Sequence, residues 1–263
     1  MSLFRNIVLA AVIAGLLSGL LLTLMQSVTT VPLILQAEVY EKAEEAPAAP
    51  QHDHGAPAAA GTSAAMAAPE ASAHEHEHGA EAWEPADGLE RALYTAAADI
   101  LAAIGFALLL ITVSEALGTL SGWRQGFFFG LSGFAVFSLA PGLGLPPELP
   151  GMPAAALDPR QVWWVATAIC TAVGLGLIAY GRSAAMAALA VIIMVAPHLY
   201  GAPVAPSHET AVPGELYARF VSAVFASNFV FWAVLGTLCG VVRARLRTGE
   251  PMLIAKPAEV AAR

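Results

Sequence analysis

The sequence predicts an all-α polytopic membrane protein, a helical bundle of about six transmembrane helices with a disordered His/acid-rich extracytoplasmic loop. Three observations predict it. Only 12% of the 263 residues are charged and 57% are hydrophobic, whereas a soluble domain is about 25% charged. The mean hydropathy is +0.67. The apolar residues also lie in long runs, separated by Pro/Gly-rich or charged segments, as membrane-crossing helices require. The net charge of −8 argues against nucleic-acid binding, which needs a basic surface.

The first helix occupies residues 1–30. Its apolar run, 7–25, follows a short polar start whose single cation is Arg5. The run is longer than a signal-peptide core, and no small-x-small cleavage site follows closely. A retained transmembrane helix is therefore the reading, with a cleaved signal as the alternative. Ala11, Gly15 and Gly19 recur every fourth residue, a smooth face for close helix packing.

Residues 31–91 read as an extracytoplasmic acidic loop. It opens with a short amphipathic piece, 31–41. From 42 to 88 the composition turns to Ala, Pro, Glu, His and Gly without apolar periodicity. Such a segment buries too little apolar surface to offset its ordering entropy, so disorder is expected.

Five further spans are expected within 92–242, on the apolar runs 93–113, 126–143, 162–180, 183–195 and 220–242. A span needs roughly 17–25 residues. The 183–195 run meets that only if residues 196–199 extend it. Pro197 disfavours a helical residue before it, so an irregular helix end is expected there, with His198 on it. The loops 141–161 and 197–216 are Pro-rich, and 243–263 forms a basic tail.

Charge supplies the topology. With six spans and a cytoplasmic N-terminus, the inner segments hold Arg5, Arg124, Arg182, Arg243, Arg245, Arg247, Lys256 and Arg263. The outer ones hold only Lys42, Arg91, Arg160 and Arg219. That satisfies the positive-inside rule. It places both termini in the cytoplasm and the His loop and both Pro-rich loops outside.

The most conspicuous chemistry is His74-Glu75-His76-Glu77-His78, with a smaller His52-Asp53-His54 upstream. Imidazole and carboxylate suit Co²⁺, Ni²⁺, Zn²⁺ and Cu²⁺. In an extended chain, alternate residues point the same way, so His74, His76 and His78 can meet one ion. Five of the seven histidines lie in this loop, which favours metal contact over a solvated linker with incidental histidines. His198 is either a pore-mouth ligand or an interfacial histidine bonded to a neighbouring helix.

Asp99 and Glu115 fall in the second span. A charge at the bilayer centre costs about 2.5–3.5 kcal/mol on insertion scales. They mark either a cation path or the interfacial capping of a long helix. Asn228, in the last span, reads as inter-helix glue. Cys170 and Cys239 lie in apolar runs and read as small buried residues. Phosphate-loop, HExxH and GxSxG motifs are absent from the sequence, so nothing supports an enzyme.

Several stretches together resemble the CbtA family of cobalt transporter subunits. They are Gln36-Ala37-Glu38-Val39-Tyr40-Glu41 after the first span, and Leu145-Pro146-Pro147-Glu148-Leu149-Pro150-Gly151-Met152-Pro153 before Trp163-Trp164. Pro197-His198-Leu199-Tyr200-Gly201-Ala202-Pro203 and the Asn228-containing last span complete the set. The resemblance leaves out only residues 42–88. It implies a bacterial inner-membrane protein linked to cobalamin synthesis, proposed to import cobalt. It also implies a small single-span partner, CbtB-like, with a C-terminal histidine motif. The family is usually described with fewer spans than six.

The resemblance draws Glu38, Glu41, Glu148 and His198, with Asp158, toward one outer uptake site. The candidate metal residues are thus His52, His54, His74, His76, His78, His198, Glu148, Glu38, Glu41 and Asp99. The cargo expected is Co²⁺. Nickel or zinc import, or a membrane metal sensor or chaperone that conducts nothing, are the alternatives.

Overall fold

The computed structural model describes residues 2–45, 85–117, 120–207 and 209–248. The five histidines of the acidic loop, and the expected disorder around them, lie outside the described residues. Those that are described are helical apart from short connections.

The first helix, α1 (Ser2–Val28), passes through a short turn at Thr29 and Thr30 into α2 (Val31–Glu45). Pro32 lacks the N–H that would continue the ladder of α1, and it suits the first turn of a new helix. The short piece expected over 31–41 is therefore a helix of 15 residues. Next come α3 (Leu89–Leu117), α4 (Trp123–Phe134), a π-turn over Ala135–Leu139 and α5 (Ala140–Gly144). Pro141 brings no N–H back to the preceding turn, and the helix widens immediately ahead of it. The described residues are completed by α6 (Leu157–Tyr180), α7 (Ala184–Tyr200) and α8 (Gly214–Thr248).

Five of these stretches are long and apolar enough to cross a membrane: α1, α3, the α4–π–α5 unit, α6 and α8. Their outward faces carry large apolar side chains such as Leu101, Phe128, Val162 and Leu24, a surface made for lipid rather than water. The α7 helix is also apolar but has 17 residues, a rise of about 26 Å. It runs antiparallel to α6, with Met194 beside Gly174 and Met186 beside Gly181.

Here the structure corrects the sequence reading. The helix does not break before Pro197: α7 continues through it to Tyr200. The Pro197 carbonyl accepts Gly201 N–H at 3.1 Å and the Trp163 indole N–H at 3.1 Å. A second helix thus holds the turn that proline weakens, and His198 sits in a regular last turn.

Two seams of small residues set the helix spacing. On α1, a Cβ at Gly15 would lie 2.6 Å from the Ile104 backbone, and one at Gly19 2.6 Å from the Ile100 backbone. On α4 and α8, a Cβ at Gly126 would lie 2.2 Å from Gly236 O, and one at Gly130 2.1 Å from Trp232 O. In lipid, where association gains little from expelling water, such backbone contact is a main source of helix affinity. Trp232, 1% exposed, fills the space beyond the second seam. It stacks on Phe137 at 5.6 Å, and its indole donates to Ser138 Oγ at 3.1 Å. Ser138 belongs to the π-turn, which turns this hydroxyl toward α8.

The bundle therefore has two distinct ends. At one, Asn6 Nδ2 reaches Leu246 O at 3.5 Å and Arg247 reaches Leu120 O at 3.3 Å. At the other, a second apolar core joins Leu33 and Ala37 of α2, Leu149 and Val212 of the two Pro-rich loops, and Leu216 and Phe220 of α8.

Candidate cation site

The α2 end carries most of the described candidate residues. Here a cavity of about 300 Å³ opens between α1, α2, α3 and α8. Gln26, Thr30, Arg91, Thr95, Ser227 and Asn228 give it polar walls; Val31, Ile34, Phe220 and Val224 complete it. Arg91, Thr95 and Asp99 follow at intervals of four on α3, so they share one helix face.

Arg91 guards the rim. Its Nη2 donates to Glu38 Oε1 and its Nη1 to Asp87 Oδ1 at 3.0 Å. Asp99 lies two turns further in, about 12 Å along the axis. Thr23 Oγ1 donates to Asp99 Oδ2 at 2.8 Å, and the Gln26 amide is a second partner. Among the described residues no cation lies within ion-pair distance of Asp99. Arg91 and Thr95 line the cavity, and Asp99 follows one turn beyond Thr95 on the same face of α3.

The Pro-rich loop beside the rim is shaped by its own sequence. Leu149-Pro150-Gly151-Met152 makes a tight turn closed by Met152 N–H to Leu149 O at 3.2 Å. Gly151 has φ +75°, a conformation that glycine adopts without steric cost. Its bare α-carbon sits against Glu41, whose Cβ would be 3.2 Å from a Cβ there. Thr210 Oγ1 donates to Gly151 O at 3.1 Å, tying the two Pro-rich loops together. Glu148 pairs with Arg160 at 3.0 Å.

The structure thus brings Glu38, Glu41 and Glu148 to the same end of the bundle, with Glu38 and Glu148 in separate ion pairs and Glu41 against Gly151. His198 lies elsewhere on that end, edge-on to Trp163 at 5.6 Å. Among the described residues no three of His, Cys, Asp and Glu form a group that could hold a metal ion. Asp158 lies in the first turn of α6. Both cysteines are free thiols.

Sequence reasoning assigned Arg91 and Arg160 to outer-loop charge and missed their carboxylate partners. It also missed Thr23 and Gln26; the signal available was a pair of polar side chains near the end of an otherwise apolar run. Asn228 does act between helices. It bonds Val224 O at 2.9 Å, lies 3.4 Å from Ser138 Oγ, and borders the cavity.

The opposite end holds Glu115. Its Oε1 accepts from Arg243 Nε at 2.6 Å and its Oε2 from Arg247 at 3.0 Å. This is a lock between α3 and α8, with Glu115 fully engaged by two guanidinium groups.

A family profile described as the probable cobalt transporter subunit, CbtA, matches residues 4–244. The chain belongs to the CbtA family. That match takes in every described helix but the final turn of α8, and it agrees with the residues that carried the resemblance. The CbtA description is of a transporter subunit, not an enzyme. No curated protein and no solved structure matches the chain.

Proposed function

We propose that the chain is the membrane-embedded subunit of a divalent transition-metal importer in the bacterial inner membrane, with Co²⁺ as cargo for cobalamin synthesis. One observation supports this reading beyond the family description: a polar cavity lined by Arg91 and Thr95, with Asp99 one turn further along the same face of α3. A carboxylate within a span and without a counter-cation is costly unless a transported ion or water visits it.

In this reading α7 is a sixth span, matched to the membrane by local thinning, and both termini are cytoplasmic. Arg243, Arg245 and Arg247 then lie on the cytoplasmic side, where the positive-inside rule prefers them. The α2 end faces out. Histidines His52, His54, His74, His76 and His78 serve as an accessory collector, whose tethering raises the ion concentration at the mouth. Glu41, Glu148 and His198 are the first fixed partners, followed by Glu38 and Asp99. A CbtB-like single-span subunit would complete the assembly.

Donor chemistry alone does not separate Co²⁺ from Ni²⁺ or Zn²⁺. Cells lacking other importers and expressing this chain should accumulate radioactive cobalt, and Asp99→Asn should abolish most of the gain while leaving membrane expression intact. Excess Ni²⁺ or Zn²⁺ that blocks uptake more strongly than unlabelled Co²⁺ would reassign the cargo. Cobalt binding without accumulation would make the protein a sensor or chaperone instead.

A further inference from the structure

We infer that Arg91 sets the ion selectivity of the mouth: it is a tethered cation that holds Glu38 until a divalent ion displaces it, and Asp87 then takes it over. The inference rests on cation movement through the cavity as proposed above, and it adds the element that admits one charge class and refuses another.

Three features of the rim support it. First, one guanidinium already bridges two carboxylates, Nη2 to Glu38 and Nη1 to Asp87. Second, the two carboxylates differ in setting. The Glu38 side chain is 17% exposed and that of Asp87 is 74% exposed. Screening by water weakens the Asp87 contact, whereas at Glu38 a lower local dielectric strengthens any cation's hold. Third, Arg91 itself lines the cavity, so the guanidinium that engages Glu38 also faces the space an ion would occupy.

The competition then depends on charge. A monovalent ion brings the same charge as Arg91 but must also give up free translation. Arg91 is tethered beside its partner, and its rigid fork of donors matches a carboxylate. The monovalent ion loses. A divalent ion doubles the Coulomb attraction to the same carboxylate and can win. The displaced guanidinium is not stranded, because Asp87 lies four residues earlier and is already in contact. The step makes and breaks only ion pairs: Glu38–Arg91 gives way to Glu38–metal, and Arg91 keeps Asp87.

The experiment uses the full chain in proteoliposomes, with radioactive Co²⁺ uptake measured against rising external Na⁺. Wild type should be insensitive to Na⁺. Arg91→Gln should become Na⁺-sensitive, with uptake falling several-fold at high Na⁺. Arg91→Lys, which keeps a tethered cation, should regain the insensitivity. Asp87→Asn should raise the KM for Co²⁺ several-fold with kcat and Na⁺ insensitivity retained, because the displaced Arg91 has lost its second partner. Arg91→Gln that still discriminates like wild type overturns the inference. So does Arg91→Gln that loses uptake equally at every Na⁺ concentration, the mark of a structural role. If Arg91→Gln fails to assemble, the Lys and Asp87 variants decide alone: a Na⁺-sensitive Lys variant or an unchanged KM in Asp87→Asn is then the overturning result. A wild type that moves no Co²⁺ sinks the proposed function and this inference with it, an outcome distinct from transport without Arg91-dependent selectivity.

Discussion

Arg243 is 1% exposed, and a guanidinium so placed depends on its carboxylate. Glu115 supplies it and holds Arg247 as well. Removing one partner of a buried ion pair leaves an uncompensated charge, at about 3–5 kcal/mol. Glu115→Ala should therefore lower the melting temperature in detergent sharply, as followed by circular dichroism. Adding Arg243→Met to that variant should restore much of the loss, since an apolar replacement of the pair removes the stranded charge. Equal melting of the two variants would mean that Arg243 finds water or another acceptor.

At this scale the sequence exposed the acidic residues but not their states. Glu38, Glu148 and Glu115 stood out as charges among apolar or proline-rich neighbours. Their arginines are separated from them along the chain, Glu38 from Arg91 by 53 positions and Glu115 from Arg243 by 128. No local pattern encodes such a pairing; it follows from which helices touch. The same holds for Thr23 and Asp99, joined across the α1–α3 seam.

The helices themselves were legible because lipid makes a simple demand. Every backbone group must be paired within the segment, so a long apolar run can only be a helix. The runs at 93–113, 162–180 and 220–242 all lie inside the helices found, which extend several residues further at each end or at the N-terminal end. Those extensions are polar, and hydropathy gives them no weight.

Pro197 misled for the opposite reason. Its local preference is against helix, but the Trp163 indole reaches its carbonyl from α6, and tertiary contact overrode propensity. The glycines of α1 were read as a packing face, and they are one. Those of α4 and α8 form the tighter seam, visible only once the two helices are set side by side.

Glycine substitutions should separate the two kinds of site. Gly130→Leu places a side chain where Trp232 O already stands, so α4 and α8 must part and the melting temperature should fall steeply. A Cβ at Gly105 would meet nothing within 4 Å, so Gly105→Ala should leave stability equal or raise it by about 0.5–1 kcal/mol through helix propensity. A loss at Gly105 comparable to that at Gly130 would mean that α3 meets a partner there.

For the whole molecule, the composition made a membrane bundle plain, and the alternation of basic and acidic segments gave it an orientation. Asn6 and Leu246 meet at one end of the bundle, the arrangement that six crossings with both termini on one side would give. Reporter fusions at the N- and C-termini should therefore report the same side, the cytoplasm. Opposite sides would reduce α7 to a helix that does not cross.

The role proposed for the loop histidines belongs to this scale too, since it rests on tethering. Deleting residues 51–78 should reduce uptake at scarce cobalt and spare it at high cobalt. Capture by the loop should also weaken as the pH falls through about 6.5, where imidazole gains the proton that a metal must replace. Loss of uptake at every cobalt concentration would move the loop from accessory to essential.

The charge on Glu115 also bears on biosynthesis. It lies in the last turn of α3, where the partial negative charge of the helix end favours a cation and opposes a carboxylate. Its arginines come from α8, the last of the described helices to be synthesised. Until α8 arrives, α3 waits in the membrane with an unanswered carboxylate, through the synthesis of α4 to α7. A chain truncated before Arg243 therefore leaves the Glu115 carboxylate of α3 without either of its guanidinium partners.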